Sequence, residues 1–165
     1  MRMRIACVVS VLLALPAAGS ASGEKTGAAG DQILEFGTMV GVAGPFRGAT
    51  NNIRGVNGAG AAWRLTEAKG ELGESGRLEI RVRGLVLVTT GLNPVANFRA
   101  IVSCLTTDSS GTVVATSNIV TDPFPATPAG DADIEALVGL PSPCIAPIVF
   151  VTNAGGTSWF SVTGH

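Results

Sequence analysis

Tyrosine is absent from the 165 residues, and the only histidine is His165 at the end of the chain. Without tyrosine the domain cannot contain the tyrosine corner found in many immunoglobulin-like sandwiches. A serine–histidine–acid triad needs a positioned imidazole base, whereas residues at a chain end are usually poorly ordered. We therefore expect no catalytic residues, and we expect that the protein is not an enzyme.

Cysteine is scarce, with three in the chain. One of them, Cys7, falls in a segment that we expect to be removed, so Cys104 and Cys144 remain. A zinc site requires four ligands at short spacings, and the sequence has neither a C-x-x-C pair nor a pair of histidines. An even number of cysteines in an exported protein is typical of a disulfide. The sequence therefore predicts a Cys104–Cys144 bond, which closes a loop of about forty residues and contributes roughly 4 kcal/mol.

Long apolar runs are missing after Leu15. Two arginines precede the apolar stretch Ile5 to Leu15, and the small residues PAAGSASG follow it. This order is typical of a secretory signal peptide, and the apolar core is too short for the roughly twenty residues of a membrane-spanning helix. We predict a signal peptide over 1–21, a disordered leader over 22–32 and one domain over 33–165. The mature protein is then secreted or extracytoplasmic, with no membrane span.

Basic residues are few and dispersed, with 11 Lys and Arg against 12 Asp and Glu. No Lys or Arg follows Arg99 in the sequence. Binding to phosphates requires a basic patch, so we expect no nucleic-acid partner. Acidic residues do cluster, at Asp131, Asp133 and Glu135 on one side of a predicted strand. Such a row offers neither the enclosing oxygens that calcium requires nor a second carboxylate across a cleft for glycoside hydrolysis. We therefore expect no metal site and no cofactor.

The remaining sequence has a β pattern, with turn residues recurring at short intervals. The clearest strand is RLEIRVRGLVLV, in which apolar residues alternate from Leu78 to Val82. The apolar run Leu85 to Val88 predicts a continuation covered on both faces, with a bulge at Gly84. The preceding turn GESG has the length of a hairpin loop and makes Trp63 to Leu72 the antiparallel partner.

Two further hairpins and an alternating segment complete the pattern. ANFRAIVSCLTT and TVVATSNIV flank DSSG, IAPIVFV and TSWFSVTG flank TNAGG, and GDADIEALVGL alternates between them. About seven or eight strands without a clear helix predict an all-β antiparallel β-sandwich with an immunoglobulin-like or jelly-roll order, and a closed β-barrel is the second choice. In a sandwich, the predicted disulfide is expected to cross between the sheets.

Two other features suggest binding sites at first inspection. The loop GVNGAGAAW, Gly55 to Trp63, is rich in glycine, but its spacing matches neither a dinucleotide fingerprint nor a P-loop. We interpret it as a flexible or tightly turned loop before a strand. Trp63 and Trp159 are candidates for a sugar-stacking platform, although tryptophans are more often core residues, and we favour the core.

Several segments over about residues 50–165 resemble a group of short secreted proteins encoded in bacterial and some fungal genomes, a group without an established activity. They are IRGVNGAGAAW, GRLEIRVRGLVL, GLNP, FRAIVSCLTTDSSG, GDADIEALVGLPSPCIAPIVFVT and WFSVTG. The resemblance implies an exported all-β domain that holds two cysteines. It implies no activity, ligand or catalytic residue.

Three functions are weighed. A β domain with one disulfide and no catalytic set favours a non-catalytic module for extracellular binding or surface interaction, with an unknown partner. The abundance of small residues also suits a structural component of a cell envelope, spore or matrix. An enzyme that uses carboxylates alone is least favoured. An exposed apolar patch favours the first function, self-assembly the second, and a deep pocket lined by ionisable groups the third.

Overall fold

The computed structural model describes residues 32–163, without the side chains of Val113 and Val114. In chain order the strands are β1 (Gln32–Phe36), β2 (Met39–Gly41), β3 (Asn57–Gly58), β4 (Trp63–Arg64), β5 (Glu67–Gly73), β6 (Arg77–Arg83), β7 (Val86–Leu87), β8 (Asn97–Thr107), β9 (Val113–Val120), β10 (Phe124–Pro125), β11 (Ala132–Leu137), β12 (Ile145–Asn153) and β13 (Ser158–Thr163). A short 3₁₀ helix spans Gly44–Phe46. The predicted signal peptide, the leader up to residue 31 and His165 lie outside the described residues. Gln32, predicted to end the leader, instead begins β1.

The strands form two antiparallel sheets. The smaller sheet has the order β1–β5–β6–β11. In the larger sheet β8 lies between β12 on one side and β9 and β10 on the other, and β13 and β2 follow β12. Strand β3 adds to β13 in parallel, and β4 and β7 form a separate ribbon. The predicted all-β antiparallel sandwich is confirmed, as two open sheets.

The three predicted hairpins, β5–β6, β8–β9 and β12–β13, are all present. The β8–β9 turn closes around Asp108, whose Oδ1 accepts hydrogen bonds from the Ser110 hydroxyl at 2.6 Å and from the Thr112 N–H at 3.0 Å. These bonds, with the Ser110 hydroxyl as the largest cause, lower the pKa of Asp108. The residues of DSSG therefore act as turn formers.

The core follows from the alternation of apolar residues in the strands. In β6 the side chains of Leu78, Ile80 and Val82 are buried, while the residues between them are not. The central strand β8 differs, because its residues are buried on both faces from Phe98 to Cys104 apart from half-buried Arg99. A strand covered on both faces must have a second layer over its outer side.

That second layer is the segment 44–58, which we call the covering segment. Arg54 donates from Nη1 to the carbonyl oxygen of Ser103 on β8 at 2.8 Å, and the Asn118 side chain on β9 donates to the Arg54 carbonyl at 2.9 Å. Burial lowers the pKa of the Arg54 guanidinium. The covering segment closes the outer face of the larger sheet, so the opposite face packs against the smaller sheet.

Two consecutive aromatic residues on β13, Trp159 and Phe160, are both buried, on opposite faces of the strand. Phe160 stacks on Trp63 with ring centroids 3.9 Å apart and meets the edge of Phe98 at 5.8 Å. Trp159 points to the other face, where its ring lies 6.2 Å from that of Phe150. Trp63 and Trp159 are 4% and 2% exposed. The core interpretation of both tryptophans is confirmed, and neither forms an exposed stacking platform.

Two strand predictions were wrong around Gly84. The predicted strand from Trp63 to Leu72 is broken after β4, which pairs with β7 and not with β6. At Gly84 φ is +65°, and a Cβ there would lie 2.3 Å from Thr66 Oγ1, so β6 ends at Arg83. The prediction of a continuation covered on both faces was wrong only in part, because the consecutive residues Leu85 and Val86 are buried whereas Val88 is 51% exposed.

The predicted disulfide between Cys104 and Cys144 is present, but its place in the fold differs from the expectation. Cys144 immediately precedes β12, and β12 is the direct neighbour of β8, with Ile145 opposite Leu105. The bond therefore joins neighbouring parts of the larger sheet and does not cross between the sheets. It anchors the connection that brings the chain over from β11 in the smaller sheet.

Candidate binding surface

Glutamates from all strands of the smaller sheet form a row across its outer face. The register places Glu35 opposite Glu71, Glu71 opposite Glu79, and Glu79 opposite Glu135. Directly opposed residues have Cβ atoms about 4.5–5.5 Å apart. A shallow depression of about 520 Å³ follows this glutamate row. Four like charges are thus held at neighbouring positions.

Few cations neutralise the glutamate row. Arg77 forms a salt bridge with Glu79, and this carboxylate, first through its hydrogen bond and then through its charge, raises the pKa of Arg77. Gln32 donates a hydrogen bond to Glu71 at 3.2 Å. Within residues 32–163 no salt bridge involves Glu35, Glu71 or Glu135.

We expect the substitution Glu71→Thr to stabilise the protein by about 0.5–1 kcal/mol, because it removes a charge that faces like charges on both sides. The melting temperature should rise by roughly 2–4 °C. Differential scanning calorimetry measures this rise, which should shrink in about 0.5 M NaCl because salt screens exposed charges.

The matched control for this prediction is Glu67→Thr on the same strand. Glu67 lies outside the row and its carboxylate is 3.3 Å from Lys69 Nζ. Its removal should leave the melting temperature unchanged or slightly lower. Equal stabilisation by both substitutions would mean that strand propensity, and not repulsion in the row, is the cause.

The acidic residues singled out in the sequence separate into three environments. Asp131 accepts a hydrogen bond from the Gly84 N–H at 2.9 Å, and Asp133 lies 2.9 Å from Arg83 and 3.5 Å from Arg81. Glu135 belongs to the glutamate row. No three Cys, His, Asp or Glu side chains among residues 32–163 are placed to hold a metal ion.

A groove of about 420 Å³ opens where β9, at one edge of the larger sheet, approaches β11, at one edge of the smaller sheet. Ile119 and Phe124 line it from the larger sheet, and Ala136 lines it from the smaller. Asp122 and Glu135 are its charged residues, and neither Lys nor Arg lines it. Apolar side chains therefore line part of the groove, but its exposed surface is more polar than apolar, and its two charged residues are acidic.

Two exposed apolar side chains lie at this groove. Leu137 is 78% exposed and Val120 is 44% exposed. Leu137 is the most exposed large apolar residue among those that the structure describes. Exposed apolar residues grouped beside a groove are typical of interaction surfaces.

The edge strand β11 has main-chain groups directed toward this groove. Val138 donates its N–H to Gly76, so alternate residues of β11 direct their polar groups toward β6, and Asp133, Glu135 and Leu137 direct theirs away. Among the described residues no strand is hydrogen-bonded to β11 on that side. Strand β10 packs beside β11, and the turn that follows β10 covers the start of the edge, where Thr127 donates to Asp131.

The glycine-rich loop has a structural role. Gly58 lies in β3, at the end of the covering segment, and a Cβ there would lie 1.8 Å from the carbonyl oxygen of Phe46. Gly48 and Gly58 exchange main-chain hydrogen bonds of 3.2 and 2.9 Å. The glycine at 58 therefore permits close packing of two backbone segments.

The glutamate row and the groove were both missed by the sequence reasoning. Each residue of the row lies on a different strand, and the groove joins segments from two sheets. Only the alternation GDADIEALVGL, which correctly predicted β11, signalled part of the site.

No family model, no curated protein and no solved structure matches the chain. The resemblance to short secreted proteins therefore stays an expectation from the sequence.

None of the helical structure within residues 32–163 is long and apolar enough to cross a membrane.

Proposed function

We propose that the protein is an exported, non-catalytic β-sandwich module that binds an extracellular partner at the groove between β9 and β11. The observation that carries this proposal is the edge of β11, where main-chain groups without a strand partner among the described residues lie beside exposed Leu137 and a groove that apolar side chains line in part. Edge strands left open in this way pair readily with another chain, and natural proteins usually protect them.

Other observations support export and binding. The Cys104–Cys144 disulfide is typical of an oxidising compartment, which fits the signal peptide predicted over 1–21. The depression along the glutamate row is wide and shallow, and the groove is lined mostly by apolar and neutral residues. These surfaces suit contact with a macromolecule better than chemistry on a small substrate.

A second candidate function is a self-assembling structural component. Strand β9 is an edge strand of 8 residues, VVATSNIV, without a charged residue or proline. Two copies can pair along such an edge without placing like charges opposite each other. Pairing of two copies along β11 would instead bring Asp133 and Glu135 of one copy opposite the same acidic residues of the other. Self-association of the purified protein that is abolished by Thr116→Lys would support this alternative.

Photo-crosslinking tests the proposed binding function. We expect Leu137→p-benzoylphenylalanine to form a light-dependent adduct with an extracellular protein in the culture medium of the source organism. Excess unlabelled protein should compete for the adduct, and excess Leu137→Lys protein should not, because a charge then replaces the exposed apolar side chain beside the groove.

The matched control is Val40→p-benzoylphenylalanine. Val40 is 57% exposed on β2, at an edge of the larger sheet that does not line the groove. Two results would contradict binding at the groove. They are equal yields of adduct at positions 40 and 137, and no adduct at position 137 in unfractionated culture medium.

A further inference from the structure

We propose that the partner is an extended polypeptide segment that adds as a strand to the free edge of β11, with basic side chains on the outer face and apolar side chains in the groove. The inference rests on the proposed binding function and specifies its ligand. Strand addition is an established mode of peptide recognition, in which main-chain bonds give affinity and alternate side chains give specificity.

The main chain of β11 determines where such a strand would lie. Asp133, Glu135 and Leu137 direct their N–H and C=O groups to the free side, and a strand added there lies about 4.8 Å from β11. Strand β10, which packs beside β11, and the turn that joins Thr127 to Asp131 limit the site at one end. The available edge therefore centres on Glu135 and Leu137.

The outer face requires a basic side chain. A residue opposite Glu135 on an added strand becomes the next member of the glutamate row, after Glu35, Glu71 and Glu79. A fifth acid would extend the repulsion, whereas lysine or arginine would oppose a carboxylate that takes part in no salt bridge among the described residues. Asp133 contributes less, since Arg83 and Arg81 already lie beside it.

The inner face requires an apolar side chain. Successive side chains of a strand alternate between faces, so the neighbours of the basic residue point toward the groove. There they meet Ile119, Phe124 and Ala136. Asp122 adds a second negative charge at the same groove. Among the described residues that line the groove there is neither Lys nor Arg, so no side-chain cation there competes with a basic residue of the ligand. The ligand is therefore amphipathic with a period of two.

Peptide binding tests the inference. We would titrate the full chain with a peptide of alternating lysine and valine, about eight residues long, and measure affinity by calorimetry and amide shifts by NMR. We expect shifts centred on residues 133–138 and an affinity at least about tenfold higher than for a peptide of alternating glutamate and valine, because opposed like charges are strongly unfavourable.

A charge reversal gives the sharpest result. Glu135→Lys should weaken binding of the lysine peptide at least about tenfold and allow binding of the glutamate peptide. Glu35→Lys is the matched control, because it makes the same change in net charge within the same row but on β1, at the opposite edge of the sheet. It should change either affinity by less than about twofold.

Two further peptides separate strand pairing from attraction to the acidic surface. The same residues ordered as a lysine block and a valine block, and a lysine–valine peptide with alternate N-methylated amides, should both lose binding. Equal binding of all peptides, or equal effects of Glu35→Lys and Glu135→Lys, would overturn strand addition. If the photo-crosslinked adduct at position 137 persists in the Glu135→Lys variant, the proposed binding at the groove is retained. Only the proposal of a basic, strand-forming peptide as the ligand is then rejected.

Discussion

Without the Cys104–Cys144 disulfide the protein is expected to lose about 4 kcal/mol of stability. The bond joins residues 40 apart in sequence, so it removes a large amount of conformational freedom from the unfolded chain. For a domain of this size the melting temperature should fall by roughly 12–20 °C. Urea unfolding of the Cys104→Ala, Cys144→Ala double variant, compared with the oxidised protein, measures the loss.

The position of the disulfide gives this prediction a structural readout as well. Cys144 ends the connection from β11 to β12, so loss of the bond should first loosen residues 138–144. Amide exchange there should accelerate more than in β6, whose apolar side chains are buried. Reduction of the unmodified protein is the control, because it breaks the bond without removing sulfur atoms. A loss below about 1 kcal/mol in both cases would contradict the prediction, since it would imply an unfolded state already restricted near the bond.

Local patterns predicted much of the fold because they depend on neighbouring residues. Turn sequences such as GESG and DSSG join strands that pair directly, so the three hairpins followed from loop length and alternation. The alternation in GDADIEALVGL likewise predicted which side of β11 is buried. The disulfide followed from counting cysteines, without any knowledge of where the strands lie.

The errors arose where a residue's environment depends on distant segments. Leu85 to Val88 has a uniform apolar sequence, yet the positive φ at Gly84 ends β6 and leaves Val88 exposed. The covering segment, which contacts β8 and β9 through Arg54, has no periodic pattern that predicts its position. Strand order likewise put the disulfide within one sheet, because β8 and β12 became neighbours.

The candidate site could be predicted only in part for the same reason. Asp133 and Glu135 were expected on one exposed side of a strand, and both are exposed there. Their different roles depend on β6, which places Arg81 opposite Asp133 and Glu79 opposite Glu135. A shift of one residue in this register would have exchanged the row for a different set of side chains. Cross-strand chemistry therefore needs the structure.

Truncation of Phe160 in the aromatic cluster should produce the second large effect on the stability of the protein. We expect Phe160→Ala to destabilise the protein by about 3–5 kcal/mol, because it leaves a cavity beside Trp63 and Phe98 in a region that is 5% exposed or less. Phe160→Leu keeps most of the volume and should cost less than about 1.5 kcal/mol. Chemical denaturation of both variants gives the two values.

A double-mutant cycle isolates the ring stacking within this loss. Trp63→Leu and Phe160→Leu, alone and together, should show a coupling of about 0.5–1.5 kcal/mol, the usual range for a stacked aromatic pair. Phe46→Ala is the control, because Phe46 is 45% exposed and its truncation should cost under about 0.5 kcal/mol. If Phe160→Ala cost no more than Phe46→Ala, Phe160 would not be packed against Trp63 and Phe98, and the assignment of this aromatic cluster to the core would be wrong.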